Sequence, residues 1–279
     1  MNKSKMIGVE VQYNEASKQQ LPLQQDQFRS LNITRDEVSE YVKTAKSILD
    51  EALSKAREDQ LMGNTNYRTW KQLGSHAGFK RFLNNDKDLH YRLHGIVGAS
   101  LNDLMGIMYA DSTAQVIERR QILYKDSLDA KTLCVLKERS AENMHEHISI
   151  RWEAINLSNN SPNYRRDMCF LEYTGVVTDI DGVSVGFFIK QAIDRSECGS
   201  LEESHGLSRL QLTEILLFRP TLEAGHTEIV MDGVQSTNNS TRKTPGSIAH
   251  DQQLAVCATL VSQELPRMHK QISTAFEKV

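Results

Sequence analysis

Up to about residue 30 the chain is polar, with glutamine pairs at Gln19-Gln20 and Gln24-Gln25 and no apolar period. Residues 1–33 therefore read as a polar tail, partly ordered by docking. From Thr34 the pattern changes. Val38, Tyr41, Val42, Ala45, Ile48, Leu49, Ala52 and Leu53 recur at three- and four-residue intervals, which predicts one buried helix face. Thr34 and Glu37 form a capping box at its start, and Gly63-Asn64 ends it.

Three short strands are predicted next, over Tyr67–Leu73, Phe79–Leu83 and Tyr91–Val97, separated by Gly74, Gly78 and Asn84-Asn85. Ser100 and Asp103 then cap a short helix whose Leu101, Leu104, Met105 and Met108 share a face. From Ala114 onward the pattern predicts strands over 115–124, 131–138, 146–156, 167–177, 183–193, 209–219 and 226–235. Asp181-Gly182 supplies a hairpin turn within this antiparallel meander. A closing helix is predicted from Ser247 to Phe276, with Leu254, Cys257, Ala258, Val261, Leu265, Met268, Ile272 and Phe276 on one stripe and Pro266 as a kink. The expected architecture is one α+β domain over residues 34–279, a curved antiparallel sheet wrapped around a long C-terminal helix. Such a sheet rolls around the helix to bury its apolar face, and the space between them is an apolar cavity.

Composition narrows the function classes. A net charge of −3 offers no basic footprint for a nucleic-acid backbone. The cysteines at 134, 169, 198 and 257 form no CxxC pair, so neither a zinc site nor a disulfide framework is expected, and a reducing compartment fits them. No run of seven apolar residues opens the chain and no stretch approaches the ~20 apolar residues of a membrane span, so a cytoplasmic, soluble protein is expected. His145 and His147 could share a strand face, but no third metal ligand stands out and a solvated pair is expected. No nucleophile elbow, phosphate-binding glycine loop or HExxH motif is present, so no enzyme, metal or cofactor is predicted.

Strand alternation supplies the candidate site. Ile148, Ile150 and Trp152 share one face, Val183, Val185, Phe187 and Ile189 another, and Leu210, Leu212, Leu216 and Phe218 a third. Glu214 interrupts the third, and Glu172 shares a face with Phe170 and Met168. An unpaired carboxylate on an apolar face costs several kcal/mol. Each of these two therefore faces solvent, sits in a salt bridge or meets a polar ligand group. The pocket expected from these faces is lined by Trp152, Phe170, Glu172, Phe187, Ile189, Leu212, Glu214 and Leu216, with Val261, Leu265 and Met268 from the closing helix. The Arg165-Arg166-Asp167 cluster is expected to order a strand entrance through surface ion pairs, with contact to a lipid headgroup as the functional alternative.

Three segments carry a family resemblance. Ser161-Pro162-Asn163-Tyr164-Arg165-Arg166-Asp167-Met168-Cys169-Phe170 is similar to the strand entry of the START (steroidogenic acute regulatory protein-related lipid transfer) domains. Ser208-Arg209-Leu210-Gln211-Leu212 resembles their later arginine-bearing strand, and Met231-Asp232-Gly233 stands where they place an aspartate and glycine before the final helix. The chain looks most like the divergent START-like proteins of oomycetes, without the FYVE zinc finger that many carry. Where sterol-binding members often carry an arginine this chain has Glu172, which suggests a reversed pocket pair with Arg151 as partner. The resemblance implies a helix-grip fold that holds one lipid or other hydrophobic small molecule, as a monomer with at most transient membrane contact. Entry would need motion of the C-terminal helix or of the loop 199–207. The rival expectation is an interaction or membrane-recruitment adaptor whose cavity is filled by side chains.

Overall fold

A computed structural model describes residues 21–24, 27–28, 30–61, 70–76, 78–84, 89–123, 127–156 and 165–235. Helix α1 (Arg35–Leu61) starts at the predicted box. The Thr34 N–H donates to Glu37 Oε2 at 2.8 Å, and the Glu37 N–H donates to Thr34 Oγ1 at 3.2 Å. Strands β1 (Lys71–His76), β2 (Phe79–Asn84) and β3 (Leu89–Val97) follow, then α2 (Leu101–Met108) behind a second capping box of Ser100 and Asp103.

The next segment corrects the sequence reading. Residues 115–124 were expected as a strand, whereas Thr113–Leu123 form helix α3. Val116 and Ile117 are β-branched and suggest a strand. The helical stripe is hidden because, among the residues whose burial is described, its buried face is Val116, Arg119 and Arg120, at three- and four-residue spacing, and two of the three are charged. Ser112 caps the helix by accepting from the Gln115 N–H at 3.3 Å.

The rest is strand: β4 (Ser127–Lys137), β5 (His147–Asn156), β6 (Arg165–Thr178), β7 (Ser184–Ala192), β8 (Ser208–Arg209), β9 (Leu212–Pro220) and β10 (Thr227–Gln235). The predicted run 209–219 is thus broken into β8, which pairs parallel with β6, and β9. A 3-10 turn at Ser196–Cys198 and the short α4 (Glu202–His205) lie between β7 and β8. At the β6–β7 hairpin Gly182 takes φ +78°, as the predicted turn requires. The principal sheet order is β1-β2-β3-β10-β9-β7-β6-β5-β4, with every pair along it antiparallel.

Period-two alternation gives this curved sheet two buried faces. On the outer face, Ala45 and Leu49 of α1 join Ile148, Ile150, Trp152, Leu171, Tyr173, Val185, Phe187 and Ile189 in one cluster. On the inner face, Leu104, Met105, Ile107 and Met108 of α2 join Tyr91, Leu93, Met168, Phe170, Phe188, Leu212, Leu216, Phe218, Ile229 and Met231. Every residue of β5 from His147 to Ala154 is buried, so this strand is covered on both sides. Part of the expected tail also packs: the Leu23 N–H donates to Asp129 Oδ2 at 2.7 Å, and the Phe28 ring lies 5.2 Å from that of Trp152. The predicted closing helix 247–276 lies outside the described residues.

Candidate functional site

Strand register places one polar row straight across the inner face. Ser149 of β5 faces Glu172 of β6, which faces Lys190 of β7; Lys190 in turn faces Glu214 of β9. Glu214 faces Gly233 of β10, and Gly233 faces Tyr91 of β3. A Cβ on Gly233 would stand 1.9 Å from Tyr91 Cζ, so only glycine lets this ring lie across β10. The Tyr91 hydroxyl thereby reaches Glu214 Oε2 at 3.2 Å. The row on one side of this belt is largely apolar: Thr174, Phe188, Leu216, Met231 and Leu93. On the other side lie Arg151, Phe170 and Ala192.

The belt holds a network of buried charges. Arg119 of α3 forks onto Glu172 at 2.6 and 3.1 Å, and Arg151 Nη2 reaches the same carboxylate at 3.2 Å. Arg120 meets Glu153 at 2.6 Å, and Lys190 Nζ reaches Glu153 at 3.2 Å. Arg119 also donates to the Met108 carbonyl and Arg151 to the Ala110 carbonyl, which fastens the α2–α3 linker to the sheet. Burial alone would raise the Glu172 carboxyl, but Arg119 and Arg151 outweigh it and hold it below the ordinary carboxylate range. Glu153 is raised by burial and brought down further by Arg120 and Lys190, ending below its ordinary value. Glu214 behaves oppositely. Burial pushes it up from the ordinary carboxylate range, and Lys190 offsets only part of that.

Of the pocket residues expected from sequence, the structure brings Phe170, Glu172, Leu212, Glu214 and Leu216 together on the inner face. Trp152, Phe187 and Ile189 are corrected: they lie on the outer face with α1. The expectation took the apolar face of each strand as the cavity face. In β5 and β7 the long apolar stripe of α1 claims that face, which turns His147, Arg151, Glu153 and Lys190 inward. Val261, Leu265 and Met268 lie outside the described residues. The expected Arg151–Glu172 pair is present, while Arg119, Arg120, Glu153 and Lys190 were not anticipated. Their signal was the alternation of charges with apolar residues in strands whose apolar side is already covered.

Two further expectations change. Asp167 was placed in a surface cluster but is 1% exposed. It accepts from Arg209 at 2.9 and 3.1 Å and from Trp152 Nε1 at 2.9 Å. Arg209 also donates to the Cys198 and Gly199 carbonyls at 3.0 Å, tying the loop before α4 to the sheet. The two segments that carry much of the sequence resemblance thus meet in one salt bridge. His147, expected in a solvated pair, is 1% exposed. A separate cleft of about 510 Å³ lies between α1 and the outer face, with Leu53, Ala56, Val185 and Leu217 among its lining and the Arg219–Asp179 pair at its margin.

No protein-family model matches the sequence, and no curated protein matches it. Solved structures do match. The chain is similar to human StAR-related lipid transfer protein 5 with a TM-score of 0.54 and 13% identity, over 82% of this chain and 99% of that one. It is similar to the human StarD13 (DLC2) lipid transfer and protein localization domain with a TM-score of 0.50 and 12% identity, over 84% and 98%. The fold is START-like. In this chain α1 packs on the outer face of the sheet, while α2 and α3 lie on the side of the belt.

Proposed function

We propose that this START-like domain is a non-catalytic carrier that holds one lipid or other hydrophobic molecule against the inner face of the sheet. Phe170, Leu212 and Leu216 supply apolar wall, and Glu172 and Glu214 supply polar points on it. The predicted closing helix would complete the enclosure with Val261, Leu265 and Met268. The observation that carries the reading is the inner wall itself, where apolar residues from five strands flank a charged row. Burying about 400 Å² of apolar ligand at ~25 cal/mol/Å² contributes about 10 kcal/mol before association costs, enough for stable retention. Transient contact with a membrane is supported by Ile180 and Leu222, exposed on neighbouring hairpins at one end of the sheet.

A second reading, an interaction adaptor with a filled interior, is favoured by the closeness of α2: a Cβ on Gly186 would stand 2.5 Å from Met105 Sδ. Organic extraction of the purified protein followed by mass spectrometry separates the two. The carrier reading expects close to one hydrophobic ligand per chain. A ligand-free protein that also takes up no added lipid supports the adaptor and overturns the carrier.

A further inference from the structure

The cleft between α1 and the outer face exists because short side chains meet short side chains. Register sets Leu217 of β9 opposite Val230 of β10, and Val177 of β6 opposite Val185 of β7; these four make its floor. The bulky neighbour turns away. Phe187 stands opposite both Leu217 and Gly175. Gly175 lacks the Cβ that would lie 2.7 Å from Phe187 Cζ, so the ring leans over β6 and meets Tyr173 at 4.6 Å. On the other wall α1 presents Leu53, Ser54 and Ala56. About 510 Å³ is left between the walls, within the size range of sites for small organic molecules.

The rim decides which molecule fits. The lining carries five carboxylates and three guanidiniums, and the cations are largely spent. Arg92 is engaged by Asp59 and Asp232, Arg219 by Asp179 at 2.9 Å, and His94 by Glu228 at 2.6 Å. Asp181 is held only by long ion pairs to Arg57 and Arg219, at 3.9 and 3.8 Å. Asp50 enters no ion pair among the described residues. Carboxylates only accept hydrogen bonds, and an ammonium group brings three donors and the opposite charge. Charged side chains of β3 and of the β6–β7 turn bound the apolar floor, so the apolar part of the guest must be compact.

We propose that this cleft is a second ligand site, separate from the inner wall, which takes a compact apolar body bearing a primary ammonium group. The body rests on Val177, Val185, Leu217 and Val230, and the carboxylates of Asp50 and Asp181 draw the ammonium. The site does not depend on the carrier reading.

The test titrates the methyl-labelled full chain with tryptamine, tryptophol and indole-3-propionate at low salt, reading the Val185, Leu217 and Val230 methyl signals by NMR. Tryptamine should shift them and bind about fivefold tighter than tryptophol, as one half-exposed ion pair implies, with the acid weakest. The preference should shrink as salt is raised. Equal affinities, or tightest binding of the acid, overturn the selection for a cation. Outer-face methyls unmoved by all three overturn the site; if a dissolved nitroxide also fails to reach them, a segment of this chain is the occupant. Asp50→Asn and Asp181→Asn, both at exposed positions, should together bring tryptamine to within about twofold of tryptophol, and a preference that persists contradicts the proposal. Ala56→Leu narrows the cleft from the α1 wall and should weaken all three several-fold; unaltered binding would place the ligand elsewhere.

Discussion

The two faces of this sheet are made by alternate residues of the same strands, yet they are built differently. Beneath α1 the contact over β5 to β7 is mainly apolar, with Ile148, Ile150, Trp152, Phe187 and Ile189 meeting a helix stripe, and toward the end of α1 the buried Arg92 pairs with Asp59 and Asp232. Beneath α2 and α3 the same strands present Arg151, Glu153, Glu172, Lys190 and Glu214, each at most 5% exposed. Buried ion pairs stabilise a fold less well than apolar packing of the same volume. A protein needing only stability would have made both faces like the outer one. The difference teaches that charge is concentrated on the α2–α3 side of the sheet, and on the carrier reading proposed above that side orients the ligand while the outer one holds the sheet.

The largest effect should come from breaking the outer face. Trp152→Ala removes a fully buried ring that also donates to Asp167, and should cost about 3–5 kcal/mol in urea unfolding. On the inner face, Glu172→Gln leaves Arg119 and Arg151 without their shared carboxylate and should cost about 3 kcal/mol by the same measurement. A cost below that of an ordinary surface change would place the network in solvent and dissolve the contrast between the faces.

Acid sharpens the comparison further. The folded pKa of His147 lies below its unfolded value, at about 4 against 6.5. Its contribution is therefore complete above pH 6.5 and is lost as pH falls toward 4. The shift corresponds to about 3 kcal/mol, and His147→Phe should remove this part of the acid limb. Glu153 and Glu172, also depressed, add loss only below the ordinary carboxylate range. The sign for Glu214 is reversed, since its folded pKa is raised. Its neutral form suits the fold at low pH, and stability falls as pH rises through the folded value. Glu214→Gln should accordingly leave stability unchanged or gain about 1 kcal/mol at pH 8. The smallest effect belongs outside: Lys55, half-exposed and 3.8 Å from Asp232, should change stability by less than about 0.5 kcal/mol when replaced by alanine.

Local chemistry was readable from sequence wherever neighbours in the chain decide the structure. The α1 stripe, the Thr34–Glu37 box and the Asp181-Gly182 turn are of this kind, as is the α+β order of elements. Facing was not readable. Alternation shows that Trp152 and Arg151 point opposite ways, but which of them faces α1 depends on where that helix lands. Helix α3 was missed because two of its three buried residues among those described are arginines, which pair with Glu172 and Glu153 from β6 and β5. The Asp167–Arg209 bridge joins residues 42 apart, so its burial could not be inferred from a charge cluster alone.

Intermolecular NOEs from a bound lipid to methyl-labelled protein test the central claim most directly. Cross-peaks are predicted to Met168, Leu212 and Leu216 of the inner face and none to Ile189 or Leu217 of the outer one. Contacts to Ile189 and Leu217, with the inner methyls silent, would contradict the account.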